Sequence, residues 1–201
     1  MEVRTDLALE AAESLPQSLA PDDVEQIKTA KGDAQITKIH IHSPKGAQAL
    51  GRAPGTYITV EVPPLSDNGE GLEDLARLIG EELAALLPET GTVLVTGLGN
   101  ESITPDALGP QVVKMVLATR HITGEFARSM GLEDLRGTAV ISPGVLGQTG
   151  VESGEIIRGI CDVIHPAAVI AVDALASRSL SRLGCTIQLC DTGIAPGSGV
   201  G

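Results

Sequence analysis

Two short stretches of the chain alternate between apolar and polar residues over most of their length. They are ITKIHIH at 36–42 and YITVEV at 57–62, and the two-residue period predicts half-buried strands, plausible as an antiparallel edge unit. Between 72 and 87 the spacing changes to that of a helix, with Leu72, Leu75, Ala76, Ile79, Leu83, Leu86 and Leu87 on one face and Pro88 as the stop. The run TVLVT at 92–96 is β-branched at every position but Leu94 and reads as a strand buried on both faces. It opens into Gly97-Leu98-Gly99-Asn100. Thr104 then caps, and Pro105 begins, a helix expected to run to His121. The pattern repeats: a strand at 138–141, a glycine-rich loop at 142–150, a helix at 155–164, a strand AAVIAV at 167–172 ending in Asp173, a helix at 174–183, and a strand TIQLC at 186–190 that opens into Asp191-Thr192-Gly193.

Buried strands alternating with helices predict an α/β fold. The specific expectation is three layers with a mostly parallel, doubly wound sheet and a small N-terminal antiparallel strand unit. Function in such sheets sits in the crevice outside the carboxyl ends of the strands. The polar and glycine-rich loops at 97–106, 142–150, 173 and 191–201 all fall there. The last strand has only PGSGVG after it and no closing helix, so the domain is expected to be incomplete at its C-terminus.

Composition narrows the choice of partners. The 201 residues include one Tyr, one Phe and no Trp, which leaves no aromatic surface for stacking on bases. The formal net charge of −12 repels phosphate backbones and anionic lipid, so neither nucleic acid nor membrane is expected as a direct partner. No apolar run is long enough to span a bilayer, and the acidic N-terminus has no signal-peptide core. Residues 1–35 are polar and read as a flexible or loosely docked leader. Cys161, Cys185 and Cys190 lack metal-site spacing and read as reduced core residues in a cytosolic compartment.

Two carboxylates stand out. Asp106 lies at a helix start and Asp173 at a strand end; each has a plain explanation, stabilisation by the helix dipole for the first and helix capping for the second. Taken together they are positioned to share one crevice. A close pair of carboxyl groups that retains one proton supplies both a base and an acid for attack by water, with no metal or other cofactor. Asp191 is a reserve catalytic candidate, with turn formation through its side chain as the alternative. The Gly97-Leu98-Gly99 run lacks a third glycine at Ser102, which disfavours a dinucleotide site. His40, His42, His121 and His165 have no ligand spacing.

The segments RTDLALE at 4–10, PGTYITVEVP at 54–63, GLGN at 97–100, TPDALGP at 104–110, SPGVLGQTGVES at 142–153, VIAVDALASR at 169–178 and TIQLCDTGIAPGSGVG at 186–201 resemble the germination protease of endospore-forming bacteria. The resemblance implies an atypical aspartic endopeptidase of the spore core. It would degrade small acid-soluble DNA-binding spore proteins at germination and assemble as a homotetramer. It implies catalytic aspartates at Asp106 and Asp173, and a zymogen that cleaves itself at Asp6–Leu7, so that residues 1–6 form a propeptide, 7–35 a leader and 36–201 the peptidase domain. Gly97, Gly99, Asn100, Gly144 and Gly147 would line the substrate and oxyanion loops. A more distant similarity to hydrogenase-maturation endopeptidases leaves open a metal-dependent reaction using the same acids. An inactive fragment or a binding module for a basic protein is the remaining alternative.

Overall fold

A computed structural model describes residues 5–14, 20–63 and 71–194. The glycine-rich tail at 195–201 and Arg4 lie outside the described residues. The α/β class is as expected, but the strands divide between two compact units, each with its own sheet.

The first unit holds the described residues up to Leu86 and Leu175–Gly193. Its sheet is antiparallel, in the order β1 (Val24–Lys31), β2 (Ala34–Ile41), β3 (Gly55–Glu61), β7 (Thr186–Cys190). The two-residue period sends alternate side chains to opposite faces. Ile39, Ile41 and Tyr57 pack with Ala8 of α1 (Ala8–Glu13) and Leu50 of α2 (Pro44–Leu50). Ala34, Ile36, Ile58 and Val60 pack on Leu78 of α3 (Leu72–Leu86). The edge strand β1 is largely exposed and carries Lys28 and Lys31, charges that discourage pairing with another chain.

Two sequence expectations change here. The leader is built into the unit: Leu7 and Ala8 are fully buried, and β1 pairs along its whole length with β2. The local signal for that hairpin was Gly32-Asp33, a two-residue turn with Gly32 at φ 60°. Likewise β7, expected to join a mostly parallel sheet, runs antiparallel to β3, in register from Tyr57↔Cys190 to Glu61↔Thr186. Periodicity identifies a strand but not its neighbour.

Glu10 explains how α1 is fastened. Its side chain is about 1% exposed. It accepts the backbone N–H groups of Arg178 (2.8 Å) and Ser179 (3.0 Å), the Ser177 hydroxyl (3.1 Å) and the Arg182 guanidinium (3.2 Å). Arg182 also pairs with Glu13 (2.7 Å) and Glu61 (2.8 Å). These bonds account for the loss of the helix expected at 174–183. Backbone groups that a helix would need are turned to Glu10, and only the 3₁₀ turn Leu180–Arg182 forms.

The second unit is Leu87–Ala174, with Ile194. Its sheet is parallel, in the order β5 (Thr138–Ile141), β4 (Val93–Gly97), β6 (Ala168–Val172). β4 is buried throughout, as its β-branched sequence requires. Val93 and Val95 pack on Val113 of α4 (Leu108–Lys114), with Val140 and Ile170 against them. The helix expected at 104–121 is shorter: a 3₁₀ turn covers Thr104–Asp106, and α4 ends at Lys114. Beyond it the N–H groups of Thr119 and Arg120 are drawn to the carbonyl of Thr138 (2.9 and 3.0 Å), which prevents helical continuation. After β5 come α6 (Leu146–Thr149) and α7 (Ser153–Ile164), and α5 (Gly124–Ser129) precedes it. The three cysteines are unpaired and half-buried, and Cys190 packs against the cluster of Ile39, Ile41 and Tyr57. No described helix is long and apolar enough to cross a membrane.

Burial pushes the Glu10 carboxyl up, but hydrogen bonds from Thr5, Arg178, Ser179 and Arg182 outweigh it and lower the pKa to about 2 from 4.5. A depressed folded value means this stabilisation is complete above about pH 4.5 and declines as pH falls toward about 2. Urea midpoints of the intact protein should therefore fall between pH 5 and pH 3, and less steeply in Glu10→Gln. Glu10→Ala should cost about 2–5 kcal/mol at pH 7, because it leaves the Arg178 and Ser179 amides without their acceptor.

Candidate functional site

β4 connects onward to β5 on one side, while β6 lies on its other side. The switch point of this sheet is thus between the carboxyl ends of β4 and β6, where a doubly wound sheet opens a crevice. The loop at 98–106 leaves β4 there, and Asp173 directly follows β6.

Backbone contacts join these two ends. Past its last ladder pair, Gly97↔Val172, the chain adds a bond from Leu98 N–H to Val172 C=O at 2.8 Å. Gly109, in the first turn of α4, fits against the same crossing: a Cβ there would lie 2.3 Å from Leu98 O and 2.4 Å from Val172 O. A Cβ on Gly97 would meet Gly109 O at 2.2 Å. Glycine is therefore required at both positions for α4 to approach the strand ends.

The Asp106 carboxylate is held by the loop it terminates. Its Oδ2 accepts the Asn100 N–H at 2.6 Å, and its own N–H donates to Ile103 O at 2.8 Å. Gly99, at φ 109°, passes so close to Asp106 that a Cβ would lie 2.0 Å from its carbonyl oxygen. The Asn100 side-chain oxygen accepts Ser102 N–H (2.9 Å) and Gln148 Nε2–H (3.0 Å), linking this loop to α6. The Ser142 hydroxyl donates to Gly97 O at 3.2 Å. Asp173 accepts the following N–H, of Ala174, on Oδ1 at 2.8 Å. Both aspartates are half-buried.

Gly97, Gly99, Asn100, Gly144, Gly147, Asp106 and Asp173 thus belong to one unit and one rim. The Asn100 N–H is committed to Asp106, which makes Asn100 a support for that carboxylate. Gly144 carries a left-handed φ of 77°. Asp191 belongs to the other unit, where its Oδ1 accepts Thr56 N–H at 2.8 Å. Asp6 and Leu7 are also in that unit. Gln148 and Gly109 carried little signal in the sequence; a glycine inside a helical pattern was the one hint of close packing. Among the described residues, no group of three or more His, Cys, Asp or Glu is placed to hold a metal ion.

The rim predicts a contrast between two glycines. Gly109→Ala should destabilise by about 1–3 kcal/mol or more, since backbone on both sides must move. Gly147→Ala, with nothing within 4 Å of the added carbon, should leave the urea midpoint unchanged or slightly raised.

The sequence model described as germination protease matches residues 3–201. The chain is 45% identical to the germination protease of Caldanaerobacter subterraneus over 204 residues, covering 99% of this chain and 62% of that protein. It is 41% identical to the germination proteases of Clostridium acetobutylicum and Bacillus cereus, covering 99% of this chain in each case and 63% and 56% of those proteins. It therefore spans somewhat under two thirds of the length of these relatives. Matched along nearly its whole length, the chain belongs to the germination protease family.

Proposed function

We propose that the protein acts as an endopeptidase in which Asp106 and Asp173 together activate water. The observation that carries this reading is the junction of β4 and β6. Two acids 67 positions apart in sequence follow adjacent strand ends that are tied by the Leu98–Val172 bond. Supporting it are the family membership and the Asn100 amide that fixes the Asp106 carboxylate.

In this reading an extended substrate lies across the strand ends. One carboxylate takes a proton from water as the oxygen attacks the scissile carbonyl. The other group, protonated, delivers its proton to the departing nitrogen. The products are a carboxylic acid and an amine, and the shared proton is restored by exchange between the two groups. Either aspartate fits either role. Gly99 and the loop at Gly144–Gly147 supply backbone N–H groups for the developing oxyanion.

The substrate we propose is the set of small acid-soluble spore proteins, in the forespore and spore core. Such DNA-coating proteins are basic, and the charge of −12 favours their approach. The same reading makes the protein a homotetrameric zymogen that cleaves its own Asp6–Leu7 bond.

Replacing Asp106 or Asp173 singly by Asn should lower kcat/KM on a basic spore-protein substrate by about 10²–10⁴-fold, with the urea midpoint near that of the parent. Wild-type cleavage by either variant removes that residue from the mechanism. Activity unaffected by EDTA fits the reading; activity lost to EDTA and restored by a divalent metal ion contradicts it.

A further inference from the structure

The peptide bond between Asp6 and Leu7 is engaged on both sides. The carbonyl of Asp6 accepts Gln188 Nε2–H at 3.0 Å, and the Leu7 N–H donates to the Thr5 hydroxyl at 3.1 Å. One residue further, Ala8 N–H donates to Gln188 Oε1 at 2.8 Å. Gln188 on β7 therefore grips the chain on either side of Leu7, whose side chain is fully buried.

Asp6 makes a second pair of contacts. Its N–H donates to Ala176 O at 2.8 Å, and its Oδ2 accepts Ala176 N–H at 2.7 Å. Ala176 is three positions beyond Asp173. Four residues after Asp6, Glu10 holds Ser177, Arg178, Ser179 and Arg182.

We propose that this segment is a latch in two parts, with Gln188 as the residue that keeps the Asp6–Leu7 bond closed to cleavage. A protease must draw its substrate into an extended form, with the scissile carbonyl turned to the oxyanion donors and the flanking N–H groups released. Here the carbonyl and the next N–H but one are both taken by a single glutamine. Processing thus requires the 5–8 stretch to lift from β7, while the Glu10 anchor stays in place. Cutting after Asp6 separates Asp6 from the anchored chain and frees both Ala176 groups, so the release is felt in the segment that follows Asp173. This inference rests on the reading that the Asp6–Leu7 bond is the one processed.

The test uses the intact protein and an added endopeptidase specific for cutting after acidic residues, so that it does not depend on the chain's own activity. Gln188→Leu keeps the volume and removes both contacts. Gln188→Glu keeps the acceptor for Ala8 and loses the donor to Asp6. Cleavage at Asp6–Leu7 should be at least about tenfold faster in both than in the parent, as expected for loss of one or two hydrogen bonds. Amide exchange at Ala8 should accelerate in Gln188→Leu alone, and the amides of Arg178 and Ser179 should remain protected in both. Equal cleavage of parent and variants at Asp6–Leu7 would overturn the latch. So would loss of Arg178 and Ser179 protection together with that of Ala8, since the segment would then open as one piece. Self-processing is a separate readout: its failure in all forms, with the added-protease difference intact, counts against the peptidase reading and not against the latch.

Discussion

The second unit depends on one crossing of backbone. Leu98 leaves β4 and donates to the last carbonyl of β6, and Gly109 packs beneath with no room for a side chain. A buried carbonyl at a strand end needs a donor. By taking it from Leu98, the chain fixes where the 98–106 loop begins relative to Asp173. Asp106 inherits its place from that loop through Asn100, and α6 is joined to it through Gln148. The crossing itself rests on hydrogen bonds and glycine contacts made by main chain, and the side chains of Asp106 and Gln148 extend it to the loop and to α6.

The first unit obeys a different constraint. A carboxylate as enclosed as that of Glu10 is tolerated only when its lone pairs are filled. Two amides, a hydroxyl and a guanidinium fill them, and in doing so they hold 177–182 out of the helix that its sequence favours. The N-terminal segment is therefore part of the fold. Asp6 and Gln188 extend the same logic to the bond that the family resemblance marks for processing.

Much of this was readable from the chain. Strands with a clean period or a β-branched run, such as 36–42, 57–62 and 92–96, appear within a residue or two of where the pattern put them, because local sequence sets the burial of each face. Asp106 and Asp173 were legible as rim residues because each follows such a run. What escaped was set by distant partners. Leu7 and Leu9 looked like a sparse leader until the sheet covered them. TIQLC is an equally good strand in either sheet, and only its pairing with β3 decides. Glu10 and Gln188 are ordinary polar residues locally, and their importance comes from partners more than 160 positions away.

The central claim is that Asp106 and Asp173 operate as one unit on one water. A double-mutant cycle on the intact protein tests it most directly, with kcat/KM on a basic spore-protein substrate measured for the parent, the two single Asn variants and the double variant. Groups that act together are strongly non-additive. The account predicts that the double variant is no slower than the slower single variant. Losses that multiply, so that the double variant falls by the product of the two single effects, would contradict it.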